Sequence, residues 1–108
     1  MHIRELTQAM HEFVTAKGWY APGSIHPQTP RNLAISLSLE ANEVLEHFQW
    51  RETVEDQQEL ASELADVALY LMQLAHIHHI DLEQAVLDKL RVNYDRNWVA
   101  PGRKQGAP

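Results

Sequence analysis

A chain of 108 residues, 44% of them hydrophobic, has the size and core-forming capacity of one small domain. The absence of cysteine excludes disulfides, thiol catalysis and thiolate metal ligands. No apolar run is long enough to span a bilayer, and no signal-peptide pattern opens the chain, so the cytoplasm is the expected compartment and no membrane partner is expected.

The net charge of −6 is unevenly spread. Nine of the fifteen acids fall between Glu40 and Asp66 against one base, Arg51, whereas Lys89, Arg91, Arg96, Arg103 and Lys104 come late. Such an acidic surface repels nucleic acid. In chain order, Ile3, Leu6, Met10, Phe13 and Val14 keep helical spacing and predict a first helix over 3–17, with Gly18 just past its end. His2 and His11 have no acid or histidine at ligand spacing and read as surface residues. Residues 18–30 carry two glycines, three prolines and no periodicity, and form a loop. Its Trp19, Tyr20 and His26 suit either a platform for stacking a base or a plug over the bundle end.

Thr29 caps the second helix, with Pro30 at its first position and Arg31 and Asn32 in its first turn. A cation there opposes the helix dipole; it either receives an anion or is simply solvated. A third helix is expected after Thr53, with Asp56 placed for a capping contact, and runs to about His79. His76, His78 and His79 near its end suit the dipole, and no further ligands for a zinc site are evident. Asp81, with Gln84 three residues on, opens a fourth helix from Leu82 to roughly Asn97. Lys89 and Asn93 lie on the same side as its stripe of Leu82, Val86 and Leu90. There they either meet carboxylates or a phosphate, or snorkel at the rim. Residues 1–98 thus read as one domain, and 99–108 as a flexible basic tail.

The second and third helices each carry two acids three residues apart: Glu40 with Glu43, and Glu63 with Asp66. At about 100° per residue, each pair shares a helix face. Glu40 falls roughly 20° from Leu33, at the edge of the stripe Leu33, Leu37, Ala41, Val44 and Phe48, while Glu46 faces nearly the opposite way. On the third helix Glu59, Glu63, Asp66 and Tyr70 flank the stripe Leu60, Leu64, Val67, Leu71 and Leu74. A short turn at Arg51-Glu52-Thr53 makes the two helices antiparallel neighbours. At about 1.5 Å per residue, Glu40 and Glu63 then sit at similar heights, roughly 16–18 Å from the turn. Four carboxylates would converge beside the seam, and a divalent cation would relieve their repulsion. Oxygen-only ligands suit Mg²⁺, with Mn²⁺ as a substitute, and Mg²⁺ so held normally binds substrate phosphates too. A di-iron bundle would need Glu-x-x-His, which the chain lacks.

LSLEANEVLEHFQW followed by ELASELADVALYL resembles the MazG-like all-α nucleotide pyrophosphohydrolases, whose signature is E-x-x-E on one helix and E-x-x-D on the next. PRNLA at 30–34 and HFQW at 47–50 resemble the dCTP pyrophosphatase branch. The resemblance implies a four-helix, bundle-like, all-α domain that assembles as a homodimer or homotetramer. It implies hydrolysis of a nucleoside triphosphate between the α and β phosphates. By the same resemblance Glu40, Glu43, Glu63 and Asp66 would bind Mg²⁺, and Lys89 and Asn93 would contact phosphate. Tyr70 also fits the pattern, and Arg31, Asn32, Trp19 and Trp50 are candidate substrate contacts.

The sequence also departs from the branch. Leu39 stands where many relatives have a further Glu, which leaves Glu43 and Glu63 as candidate bases. Gln28 stands where the branch has a histidine, with His26 two residues earlier, and Arg96-Asn97-Trp98 replaces a closing K-Y-P-like segment. A phosphoribosyl-ATP pyrophosphohydrolase shares this metal logic but not PRNLA and HFQW. A non-catalytic, regulatory helical dimer would not need both acid pairs intact.

Overall fold

A computed structural model of the chain describes residues 1–96; Asn97, Trp98 and the expected tail at 99–108 lie outside them. The described residues form four helices and no strand: α1 (Ile3–Ala16), α2 (Pro30–Glu46), α3 (Gln57–Ile77) and α4 (Leu82–Asp95). The all-α, four-helix expectation holds. None of these helices is long and apolar enough to cross a membrane.

Local chemistry sets most of the boundaries. α1 stops at Gly18, whose φ of +73° lets its N–H reach Thr15 O at 3.0 Å while Trp19 N–H reaches Val14 O at 3.3 Å. That pair of bonds closes the helix end and aims Trp19 back at the body of the fold. At α2, Thr29 Oγ1 accepts from Asn32 N–H at 3.1 Å, and Pro30 supplies the fixed φ of a first helical residue. α3 begins later than its first turn signal suggests. Asp56, not Thr53, is the cap, its carboxylate accepting from Glu59 N–H at 3.0 Å. His79 ends α3 with φ +58°, and Ile80 N–H bonds Ala75 O at 2.8 Å. Asp81 caps α4 and also accepts from Arg4 Nε at 2.8 Å, while Arg4 Nη1 reaches Glu83 at 2.9 Å. One arginine of α1 therefore anchors the start of α4.

The helices are organised around α3. It pairs most extensively with α2 and packs on α1; α4 meets α1 and α3 only sparingly. Met10 and Val14 of α1 and Met72 of α3 make the central cluster, with Trp19, Tyr20, Ala68 and Leu82 packed against it. Leu33 of α2 is also buried, at 2% exposed.

Four sequence expectations change here. The connection between α2 and α3 is not a three-residue turn: α2 ends at Glu46 and residues 47–56 make the link. Phe48 N–H bonds Leu45 O at 2.9 Å, an i→i−3 bond that tightens and ends the helix where HFQW would have extended it. On α3 the buried residues are Met72, Gln73 and Ala75, while Leu64 and Leu71 are about half exposed. Neighbours on two sides cover a different arc from the one a single apolar stripe suggests. His11 is no surface residue; its ring lies 4.2 Å from that of His76 and 5.5 Å from that of Tyr20. Finally, α4 buries nothing: Val86, Leu87 and Leu90 are about half exposed, and Lys89 is exposed rather than turned to a core.

Candidate functional site

The acid pairs on α2 and α3 do come together. The Glu40 carboxyl is held above the ordinary carboxylate range, first by burial, then by a side-chain hydrogen bond with Glu43 and by the charges of Glu43, Asp66 and Glu63. All three other acids are therefore near enough to act on Glu40, as the helix-wheel argument requires. Glu40 Oε2 is buried without a hydrogen-bond partner among the described residues. A buried carboxylate oxygen lacking a donor, surrounded by three like charges, is costly unless a cation joins it. The donor set is all oxygen, which fits Mg²⁺ or Mn²⁺.

His47 is the member of this region that sequence reasoning missed. Its Nε2 lies 2.5 Å from Glu63 Oε2, and both side chains are mostly buried. His47, Glu59 and Glu63 also place ligand-type atoms within 4.8 Å of one another. The signal was present: His47 follows Glu43 by one helical turn, and Glu59 and Glu63 are likewise a turn apart. What was not legible was that α2 ends at just that point, which leaves the imidazole free to turn onto α3. One Glu63 oxygen is thus taken by His47, and the other remains for the acid cluster.

Beside the cluster lies a cavity of about 940 Å³ between α1, the 18–29 loop, α2 and α3. Its volume falls in the range of small-molecule sites. Asp66 belongs to its wall as well as to the acid cluster, so the two are continuous. Trp19, Asn32 and Tyr70 line it. Trp19 is half-buried, its ring edge-on to Phe13 at 5.5 Å between centroids. Asn32 is fixed by its own Nδ2, which donates to Pro27 O at 3.0 Å. The loop residues His26 and Gln28 and the α3 residue Gln73 complete a polar strip in an otherwise apolar wall.

The remaining candidates stand apart from this cavity. Trp50 is 87% exposed in the α2–α3 link, and Arg31 is exposed in the first turn of α2. Lys89 is exposed on α4 and Asn93 is half-buried there; neither lines the cavity within one chain.

The all-α fold thus sets paired acids on two adjacent helices beside a cavity whose wall one of them, Asp66, shares. The MazG-like family profile matches residues 35–104, and the chain belongs to that family. Among its relatives is dCTP pyrophosphatase 1 of Mus musculus, 33% identical over 103 aligned residues that cover 87% of this chain and 58% of the relative. The Homo sapiens protein of the same name is 32% identical over the same shares. The chain thus spans little more than half the length of these relatives. The crystal structure of a pyrophosphatase from Archaeoglobus fulgidus superposes with a TM-score of 0.71 at 33% identity, over 89% of this chain and 94% of that one.

Proposed function

We propose that the protein is a Mg²⁺-dependent nucleoside triphosphate pyrophosphohydrolase that converts a deoxynucleoside triphosphate, preferentially a pyrimidine, and water to the monophosphate and pyrophosphate. The observation that carries the reading is the convergence of Glu43, Glu63 and Asp66 on Glu40, next to a cavity that shares Asp66. The pyrophosphatase relatives support the reaction class. Glu40, Glu43, Asp66 and the free oxygen of Glu63 would hold the ion, with Mn²⁺ an acceptable substitute. When bound, the ion supplies positive charge against the charge that builds on the phosphates.

The chain's own groups do the rest. The base and sugar occupy the cavity between Trp19 and Tyr70, which places the phosphates toward Asp66. Glu43 is exposed, where water enters, and takes the proton of the water that attacks the α-phosphorus. The bond from the α-phosphorus to the bridging oxygen breaks, and pyrophosphate leaves with that oxygen. His47 holds Glu63 in place and limits its rotation. The uncovered apolar face of α4 supports a homodimer or homotetramer, in which Lys89 and Asn93 of one copy reach phosphate. Cytoplasmic action on free nucleotides fits these parts.

Phosphorus NMR of the products tests the reaction. Monophosphate with pyrophosphate is expected, abolished by EDTA and restored by Mg²⁺ or Mn²⁺; diphosphate with free phosphate rejects it. Glu43→Gln and Glu63→Gln should lower turnover about a hundredfold or more, and Glu46→Gln, outside the cluster, should leave it unchanged.

A further inference from the structure

Glu63 stands between two groups of ligand-type side chains. Toward the C-terminal end of α3 lies Asp66, with the Glu40 and Glu43 carboxylates beside it. Toward the other end, four residues back, lies Glu59 in the first turn of the helix. At about 1.5 Å per residue, Asp66 and Glu59 are roughly 4.5 and 6 Å from Glu63 along the axis, in opposite directions. The Glu59 side has a nitrogen donor that the acid cluster lacks. His47 caps the end of α2, and its Nε2 lies 2.5 Å from Glu63 Oε2. One atom each from His47, Glu59 and Glu63 falls within 4.8 Å of the other two.

The charges around this trio are unbalanced. Arg51, the one base between Glu40 and Asp66, pairs with Glu55 instead. Glu59 spends its backbone N–H on the Asp56 cap, and its carboxylate has no hydrogen bond or ion pair among the described residues. A proton shared between His47 and Glu63 answers two of the three groups and leaves the charge of Glu59. A cation answers all three. Ligand atoms held at 2.0–2.2 Å from one tetrahedral ion lie about 3.3 Å apart, so His47 and Glu63 part by about 1 Å and Glu59 closes in. The His47 and Glu63 side chains are only 14% and 16% exposed, while Glu59 lies at the open rim, where water completes the coordination. An imidazole nitrogen with two carboxylate oxygens suits Zn²⁺; Mg²⁺ favours oxygen alone in an octahedral shell.

We propose that His47, Glu59 and Glu63 form a second metal site, selective for Zn²⁺ over Mg²⁺, set apart from the acid cluster and joined to it through the two oxygens of Glu63. The site stands on its own ligand geometry and not on the reaction assigned above. Zn²⁺ there replaces the proton between His47 and Glu63 and draws on the charge that Glu63 offers to Mg²⁺.

The test uses the full chain, stripped of metal with EDTA and then dialysed free of it. Imidazole nitrogen NMR of wild type is recorded with equimolar Zn²⁺. Calorimetry gives Zn²⁺ affinities for wild type, His47→Gln, Glu59→Gln, Glu63→Gln and Asp66→Asn, beside the rise in melting temperature that Mg²⁺ gives each. Zn²⁺ should move the His47 Nε2 signal before those of the other histidines, and excess Mg²⁺ should not move it back. His47→Gln and Glu59→Gln should each weaken Zn²⁺ binding about tenfold or more and keep the Mg²⁺ rise. Asp66→Asn should do the reverse, and Glu63→Gln should weaken both. Unchanged Zn²⁺ affinity in folded His47→Gln, or NMR shifts confined to other histidines, overturns the site. A signal restored by excess Mg²⁺ also overturns it, because both ions then compete for one place. The NMR reads wild type, so it decides even if a variant fails to fold. If Mg²⁺ gives wild type no rise while His47 still takes Zn²⁺, the Mg²⁺ reading of the acid cluster fails and the Zn²⁺ site stands.

Discussion

Glu40→Gln isolates the electrostatic cost built into the acid cluster. The substitution keeps the shape of a buried side chain, removes one of four converging charges, and gives Glu43 a possible donor. Two like charges about 5 Å apart repel by about 3 kcal/mol at an effective dielectric constant of about 20. Glu43 is exposed, and water screening leaves about 1 kcal/mol of this. In EDTA at pH 8 the variant should therefore melt about 4–8 °C above wild type, the usual return on 1 kcal/mol in a domain of this size. Metal reverses the order. Mg²⁺ at a hundred times Kd stabilises wild type by about 2.7 kcal/mol, and a tenfold weaker site halves that gain.

The pH dependence has a definite sign. A carboxyl whose folded pKa is raised contributes stability that is fully present below its unfolded value, about 4.3, and is lost as pH rises through the folded value. The gap between variant and wild type in EDTA should thus narrow as pH falls from 8 toward 5. Differential scanning fluorimetry across pH, with and without Mg²⁺, reads all three effects. A variant no more stable than wild type in EDTA, with an unchanged Mg²⁺ shift, would refute the claim that these carboxylates repel one another around a metal site.

Other consequences are simpler to test. His76 is held below the ordinary histidine range, first by burial and then by the charges of His11 and His79. Its stability contribution is complete above the unfolded value of about 6.5 and falls as pH drops from there toward the depressed folded value; urea titrations should show that loss between pH 7 and 5.5, and His76→Phe should flatten it. Leu33→Ala should cost about 2–5 kcal/mol and lower the urea midpoint with an unchanged m-value; a loss below 1 kcal/mol would mean that Leu33 is not buried. Light scattering at micromolar concentration should give a multiple of the 12.4 kDa chain, and Leu90→Glu on the open face of α4 should reduce it to one; a wild-type monomer would contradict the assembly.

Much of this molecule was legible because its signals are local. Gly18, Thr29 with Pro30, and Asp81 act within a few residues of where they stand, and the structure uses each as expected. The acid cluster was legible for a related reason: periodicity fixes a helix face, and antiparallel neighbours bring equal heights together. The features that were not legible depend on which helix covers which. Leu64 and Leu71 look as apolar as Met72, yet only Met72 faces α1. His47 meets Glu63 across 16 residues and Gln28 meets Gln73 across 45. No spacing rule reaches that far. Lys89 was expected to face inward because the wheel assumes an inside, and α4 has none in a single chain.

The sparse anchoring of α4 also sets the order in which backbone amides become open to solvent. The helix has 14 residues, buries none of them, and is held at its start by Arg4 and Leu82. A helix that short is marginal in water without a packed face. In an uncovered chain it therefore opens as a unit of its own while α1, α2 and α3 stay closed around Met10, Val14 and Met72. Amide hydrogens from Val86 to Asp95 would then exchange for deuterium well before those of α3, and at a rate that slows as the chain concentration rises. Exchange along α4 becomes a direct gauge of how fully its apolar face is covered.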